Sequence, residues 1–129
     1  MFIDHLAIWT TRLEDLKTFY GTYFGAQTGA KYANPTSGFT SYFLTFDSGC
    51  RLEIMSMPGI PDSKDDPLLQ ATGLIHLAFS VGTEADVDEL TARLRVAGTQ
   101  VVSGPRRTGD GYYESCVLDP NGNRVEITV

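Results

Sequence analysis

A chain of 129 residues, 42% hydrophobic and 20% charged, has the composition of an ordered globular protein and length enough for one domain or two tightly packed halves. Its formal net charge of −6 argues against nucleic acid, anionic membranes and heparin-like partners, each of which needs a basic face. No apolar run approaches the length that spans a bilayer, and the start, Met1-Phe2-Ile3-Asp4-His5, has no basic region leading into a hydrophobic one.

In chain order, residues 2–9 read as a strand whose alternation puts His5, Ala7 and Trp9 on one face and Leu6 and Ile8 on the other. Thr11-Arg12-Leu13-Glu14 has the form of a capping box, with Thr11 accepting from an orphan backbone N–H and Glu14 reaching back. Helical spacing follows at Leu13, Leu16, Tyr20, Tyr23 and Phe24, and Gly25 supplies the stop. Strands are predicted over 27–33 and 39–47, then over 50–55 after a tight Asp47-Ser48-Gly49 turn. In 57–72, Pro58, Gly59, Pro61 and Pro67 with Asp62, Asp65 and Asp66 disfavour helix and central strand, so this stretch reads as a linker.

The same order then returns. Residues 74–81 form a strand with His76, Ala78 and Ser80 on one face. Thr83-Glu84-Ala85-Asp86 is a looser capping signal, a helical stripe runs through Val87, Leu90, Leu94 and Ala97, and Gly98 ends it. Further strands are expected over 100–103, 112–118 and 123–129. Between the first two lies Gly104-Pro105-Arg106-Arg107-Thr108-Gly109-Asp110-Gly111, which reads as a glycine-rich loop carrying the only adjacent basic pair of an acidic chain. Of Tyr112 and Tyr113, alternation lets only one share the face of the loop's neighbours. The last two strands meet at Asp119-Pro120-Asn121-Gly122, a hairpin turn.

The closing strand carries Glu126 between Val125 and Ile127, an unusual place for a carboxylate. An internal repeat gives it a context. Arg51-Leu52-Glu53-Ile54 recurs as Arg124-Val125-Glu126-Ile127, and His5-Leu6-Ala7-Ile8 recurs as His76-Leu77-Ala78-Phe79. The only two histidines of the chain therefore occupy equivalent places. Each half reads as βαβββ: an N-terminal module over 1–56, the linker 57–72, and a C-terminal module over 73–129. The fold class is α+β, a cup-shaped mixed sheet with the helices outside and His, Arg and Glu on the inner face. Cys50 and Cys116 lack metal-type spacing and read as thiols of a reducing compartment, with a cytoplasmic location expected.

These paired modules, the two histidines and the closing Asp119-Pro120-Asn121-Gly122…Glu126-Ile127 pattern resemble the vicinal oxygen chelate superfamily. That superfamily includes glyoxalase I, bleomycin-resistance proteins and extradiol dioxygenases. The resemblance spans essentially the whole chain and implies metal ligands at His5, Glu53, His76 and Glu126, with a divalent ion such as Ni, Co, Zn, Mn or Fe. It also implies catalytic work for Glu126, or for its counterpart Glu53, as the base in a glyoxalase-like proton transfer. The alternative for these side chains is plain packing, each Glu pairing with Arg51 or Arg124. Two positions depart from the glyoxalase pattern: Trp9 and Met57 stand where an Arg and an Asn usually serve glutathione recognition. The implied substrate is a small oxygenated molecule not strictly linked to glutathione, with Trp9, Arg106 and Arg107 as candidate contacts. An extradiol dioxygenase and a metal-free drug-binding protein are the competing functions, and a homodimer is the expected assembly.

Overall fold

The computed structural model describes residues 1–47 and 49–129, so Ser48 of the predicted 47–49 turn lies outside the described residues. The chain divides into two units, Met1–Lys64 and Asp65–Val129, with the division inside the proline-rich 57–72 stretch.

In the first unit, β1 (His5–Trp9) leads into α1 (Leu13–Phe24), followed by the short strands β2 (Gln27–Thr28) and β3 (Tyr32–Ala33), then β4 (Thr40–Thr45) and β5 (Arg51–Ser56). The sheet order is β1-β5-β4-β2, with β3 also on β4, and β1 runs parallel to β5 while the other pairs are antiparallel. Leu16 and Tyr20 of α1 are fully buried, as are Leu44 of β4 and Ile54 of β5. Burial of each such aliphatic side chain contributes about 1.5–3 kcal/mol, enough to hold helix against sheet. Gly25 takes the left-handed conformation at the helix end (φ 68°), as expected of a glycine stop.

The second unit repeats the plan with β6 (His76–Ser80), α2 (Glu84–Val96), β7 (Val101–Arg107), β8 (Tyr113–Leu118) and β9 (Arg124–Thr128). Its order is β6-β9-β8-β7, with β6 parallel to β9. Val87 and Leu94 of α2 are fully buried, with Val117, Val125 and Ile127 of the sheet. The β8–β9 turn is fixed by Asp119, whose carboxylate accepts from the Asn121 and Asn123 backbone N–H groups and from the Asn123 side chain. Two helices and two mixed sheets make this an α+β fold.

Three local expectations are corrected, and a fourth, the capping signal at Thr83, is borne out. Thr11 caps nothing: α1 begins after Arg12 with no side-chain cap, and the Thr10 hydroxyl accepts from Arg12 N instead. Glu14 is taken by Lys17, Lys31 and the Tyr42 hydroxyl, which leaves it no role in a box. The weaker signal at Thr83 is a complete capping box with Asp86. The 27–33 strand is two short pieces on either side of 29–31.

The third correction matters most for function. Residues 104–107 belong to β7 and not to a loop. Irregular register between Val101 and Arg106 lets the strand pass Gly104. Gly104 has φ 78°, and a Cβ there would strike the Glu114 carbonyl and the Ser115 backbone. Only glycine allows this approach.

Candidate functional site

Parallel pairing of β1 with β5 sets His5 opposite Arg51 and Ala7 opposite Glu53, so His5 and Glu53 share one face of the first sheet. His5 Nε2 lies 3.9 Å from Glu53 Oε2, with the histidine 40% and the glutamate 16% exposed. The other ring nitrogen, Nδ1, donates to Asp4 Oδ1 at 2.8 Å, which directs Nε2 and its lone pair toward Glu53. Asp4 also accepts from Arg51, and the His5 and Arg51 donors together hold its carboxyl below the usual range. Phe43 meets His5 edge-on at 5.4 Å. Trp9 is 39% exposed on the same face as His5 and sets its edge against Phe39 at 5.9 Å.

The second unit builds the same pair on β6 and β9. His76 Nε2 stands 3.7 Å from Glu126 Oε2, with exposures of 42% and 20%. Ile75 occupies the place equivalent to Asp4, so no carboxylate stands there for His76. Cys116 is the register partner of Glu126, and Glu114 lies two residues away on the same face of β8. Burial, and after it the negative charge of Glu126, pushes the Glu114 carboxyl up, while Arg106 opposes the shift from 3.8 Å. Burial likewise raises the Cys116 thiol, against the pull of Arg124.

The two adjacent arginines of β7 part company. Arg106 faces Glu114, on the Glu126 side of the sheet. Arg107 turns to the helix side, where it pairs with Glu84, donates to the Gly111 carbonyl and lies over the Tyr113 ring. Tyr113 is on that side as well, with its hydroxyl on Asp88, and Tyr112 precedes the strand. Tyr113 therefore does not join the Glu126 face.

Each glutamate keeps company with a histidine and not with the arginine two residues before it: Arg51 is held by Asp4, and no ion pair joins Arg124 to Glu126 among the described residues. Metal–nitrogen and metal–oxygen bonds of about 2.1 Å let one ion bridge donors up to about 4.2 Å apart. Separations of 3.9 and 3.7 Å lie within that reach. Among the described residues no third His, Cys, Asp or Glu completes a metal-holding group with either pair. Glu114 escaped the sequence reading, although the reason that singled out Glu126, a carboxylate in a strand, applies equally to it.

Paired modules of this topology, each with a His and a Glu on one face, define a known class of protein. The Glyoxalase/Bleomycin resistance protein/Dioxygenase superfamily profile matches residues 2–127, and the chain belongs to this superfamily. A glyoxalase family protein from Enterococcus faecalis is 26% identical, with a TM-score of 0.77 over 98% of this chain and 96% of that one. Lactoylglutathione lyase from Agrobacterium tumefaciens is 25% identical, with a TM-score of 0.68 over 98% and 91%. The trypanothione-dependent glyoxalase I of Leishmania major, 24% identical with a TM-score of 0.74 over 96% and 83%, shares the fold. Comparison with curated proteins gives no match. No helix among the described residues is long and apolar enough to cross a membrane.

Proposed function

We propose that this chain is a metal-dependent lyase or isomerase of the glyoxalase type, moving a proton on a small, metal-chelating oxygenated substrate. The observation that carries this reading is the repeated pair, His5 with Glu53 and His76 with Glu126, each on one sheet face with its donors within reach of a single ion. Imidazole nitrogen with carboxylate oxygen suits Ni, Co, Zn, Mn or Fe(II), and the four side chains are the proposed ligands, each pair supplying half of the set. A divalent ion held by them would supply the Lewis acidity that makes a C–H beside a substrate oxygen acidic.

The protein's own part is to take and return that proton. Glu126 is the proposed base: its carboxylate is mostly screened from water and fixed on a central strand. Glu53 is the equivalent group in the other module. Arg106, on the Glu126 side of its sheet, supports a substrate contact there, whereas Arg107 is already engaged by Glu84. Trp9 offers an aromatic surface on the His5 face of β1, and with Met57 it replaces the residues expected for glutathione.

Metal analysis of purified variants tests the assignment. His76→Ala should lose the ion and keep the fold, because the side chain is exposed and leaves the sheet intact. Full occupancy in a His5→Ala, His76→Ala double variant overturns it. Bound iron with substrate-dependent oxygen uptake would indicate the dioxygenase instead, and a metal-free protein that retains ligand would indicate the drug-binding function.

A further inference from the structure

We infer that Arg124 is an oxyanion-binding residue of the C-terminal half-site, and that the small molecule received there carries a carboxylate or phosphate group. Arg51 and Arg124 are one position in two copies of the same module. Arg51 has partners within its own module: its guanidinium donates to Asp4 and lies over the Phe43 ring, 4.4 Å from the centroid. Both partners are replaced in the second copy. Ile75 stands in place of Asp4, and Cys116 in place of Phe43. Arg124 is left with the Cys116 thiol as its polar neighbour, and its Nε is buried with no hydrogen-bond partner among the described residues.

A desolvated cationic N–H without an acceptor is unfavourable, and buried donors of this kind are almost always satisfied. No described residue provides the missing acceptor, which leaves a bound molecule to supply it. A guanidinium fork matches the oxygens of a carboxylate or phosphate. Placement agrees with this. Arg124 is the register partner of His76 and lies two residues before Glu126 on the same face, about 7 Å along the strand. An anion on Arg124 is thus within a small molecule's span of the proposed reacting pair.

The link to substrate rests on the reading of His76 and Glu126 given above, but the anion site can be tested without it. The full chain is titrated with inorganic phosphate and, separately, with lactate at fixed ionic strength, while arginine Nε–Hε signals are followed by 15N NMR. A saturable shift of the Arg124 signal is expected, with the Arg51 signal unmoved. Arg124→Gln should weaken binding about tenfold or more and Arg124→Lys less, since lysine keeps the charge but loses the fork. Tighter binding of phosphate identifies a phosphate-bearing ligand, and tighter binding of lactate a carboxylate. Absence of a saturable shift with both anions in the wild-type chain overturns the inference, as does unchanged affinity in a folded Arg124→Gln. Metal content measured on the same samples separates the two readings: anion binding without metal removes the proposed chemistry and leaves Arg124 standing.

Discussion

At the scale of single residues, the two halves agree in their His/Glu pair and differ in what surrounds it. Glu53 sits across from Phe43, and Glu126 across from Cys116 with Glu114 nearby. A second carboxyl, Glu114, neighbours Glu126 and has no counterpart across from Glu53, and the proposed base is on that side. General-base catalysis contributes typically 10²–10⁴-fold, so metal-loaded Glu126→Gln should lose turnover by about that factor. Glu53→Gln should lose less. Single-turnover rates at matched metal content check both, and a Glu126→Gln protein as fast as wild type removes Glu126 from the mechanism. Trp9 and Met57 lead to a second expectation. Without a cation on β1 to meet the tripeptide, turnover of the methylglyoxal–glutathione adduct should fall well below that of a glyoxalase I assayed in parallel. Equal kcat/KM would show that Trp9 and Met57 exclude nothing.

At the scale of elements, the two helices begin differently, and the difference is measurable. Thr83 accepts from Asp86 N and the Asp86 carboxylate returns to Thr83, so Thr83→Ala should destabilise by about 1 kcal/mol in urea melts. Thr11→Ala, outside any cap, should stay within about 0.5 kcal/mol of wild type. Glu14 explains the contrast. Lys17, then Lys31 and Tyr42, lower its carboxyl from the ordinary 4.5 to about 2. Because the folded value is the lower one, its contribution is present above about pH 4.5 and is lost as pH falls toward 2. Glu14→Gln should therefore melt slightly lower than wild type at pH 7, on the order of a few °C for so exposed a cluster. The gap should close near pH 2, and one that persists there would assign the effect to packing.

What could be read from the sequence follows the same division. Alternation on β1, β5, β6 and β9 put each His and Glu on one face, because a period of two leaves no choice once the apolar set is buried. Local pattern had no access to partners distant in the chain. Lys31 and Tyr42 claim Glu14 from 17 and 28 residues away and so undo a well-formed capping box. Thr91, which the apolar stripe does not include, is fully buried with its hydroxyl bonded to Val87 O and Ser115 Oγ, one of them 24 residues away. Gly104 resembled a loop residue until its close approach to β8 made it the device that brings Arg106 to Glu114.

At the scale of the whole molecule, the strands that carry the histidines lie at the edges of their sheets. Among the described residues β1 pairs only with β5, and β6 only with β9. Neither His5-Leu6-Ala7-Ile8-Trp9 nor His76-Leu77-Ala78-Phe79-Ser80 carries the Lys or Pro that commonly guards an open edge. Their flanks are apolar and exposed: Phe2 is 84% exposed, Ile3 66% and Leu74 81%. Exposed apolar surface beside unguarded strands marks an interaction site. Two donors also leave a divalent ion short of its usual four to six, so the proposed chemistry asks each His/Glu pair to be completed by another. A second copy of the chain brings both remedies. Light scattering after gel filtration should give twice the chain mass at micromolar concentration, with metal present. Aspartate substituted at Ile3 and Leu74 should shift that mass toward the monomer and lower metal content with it. A wild-type mass equal to one chain would overturn the dimer, and a monomeric variant that keeps its metal would detach assembly from the metal site.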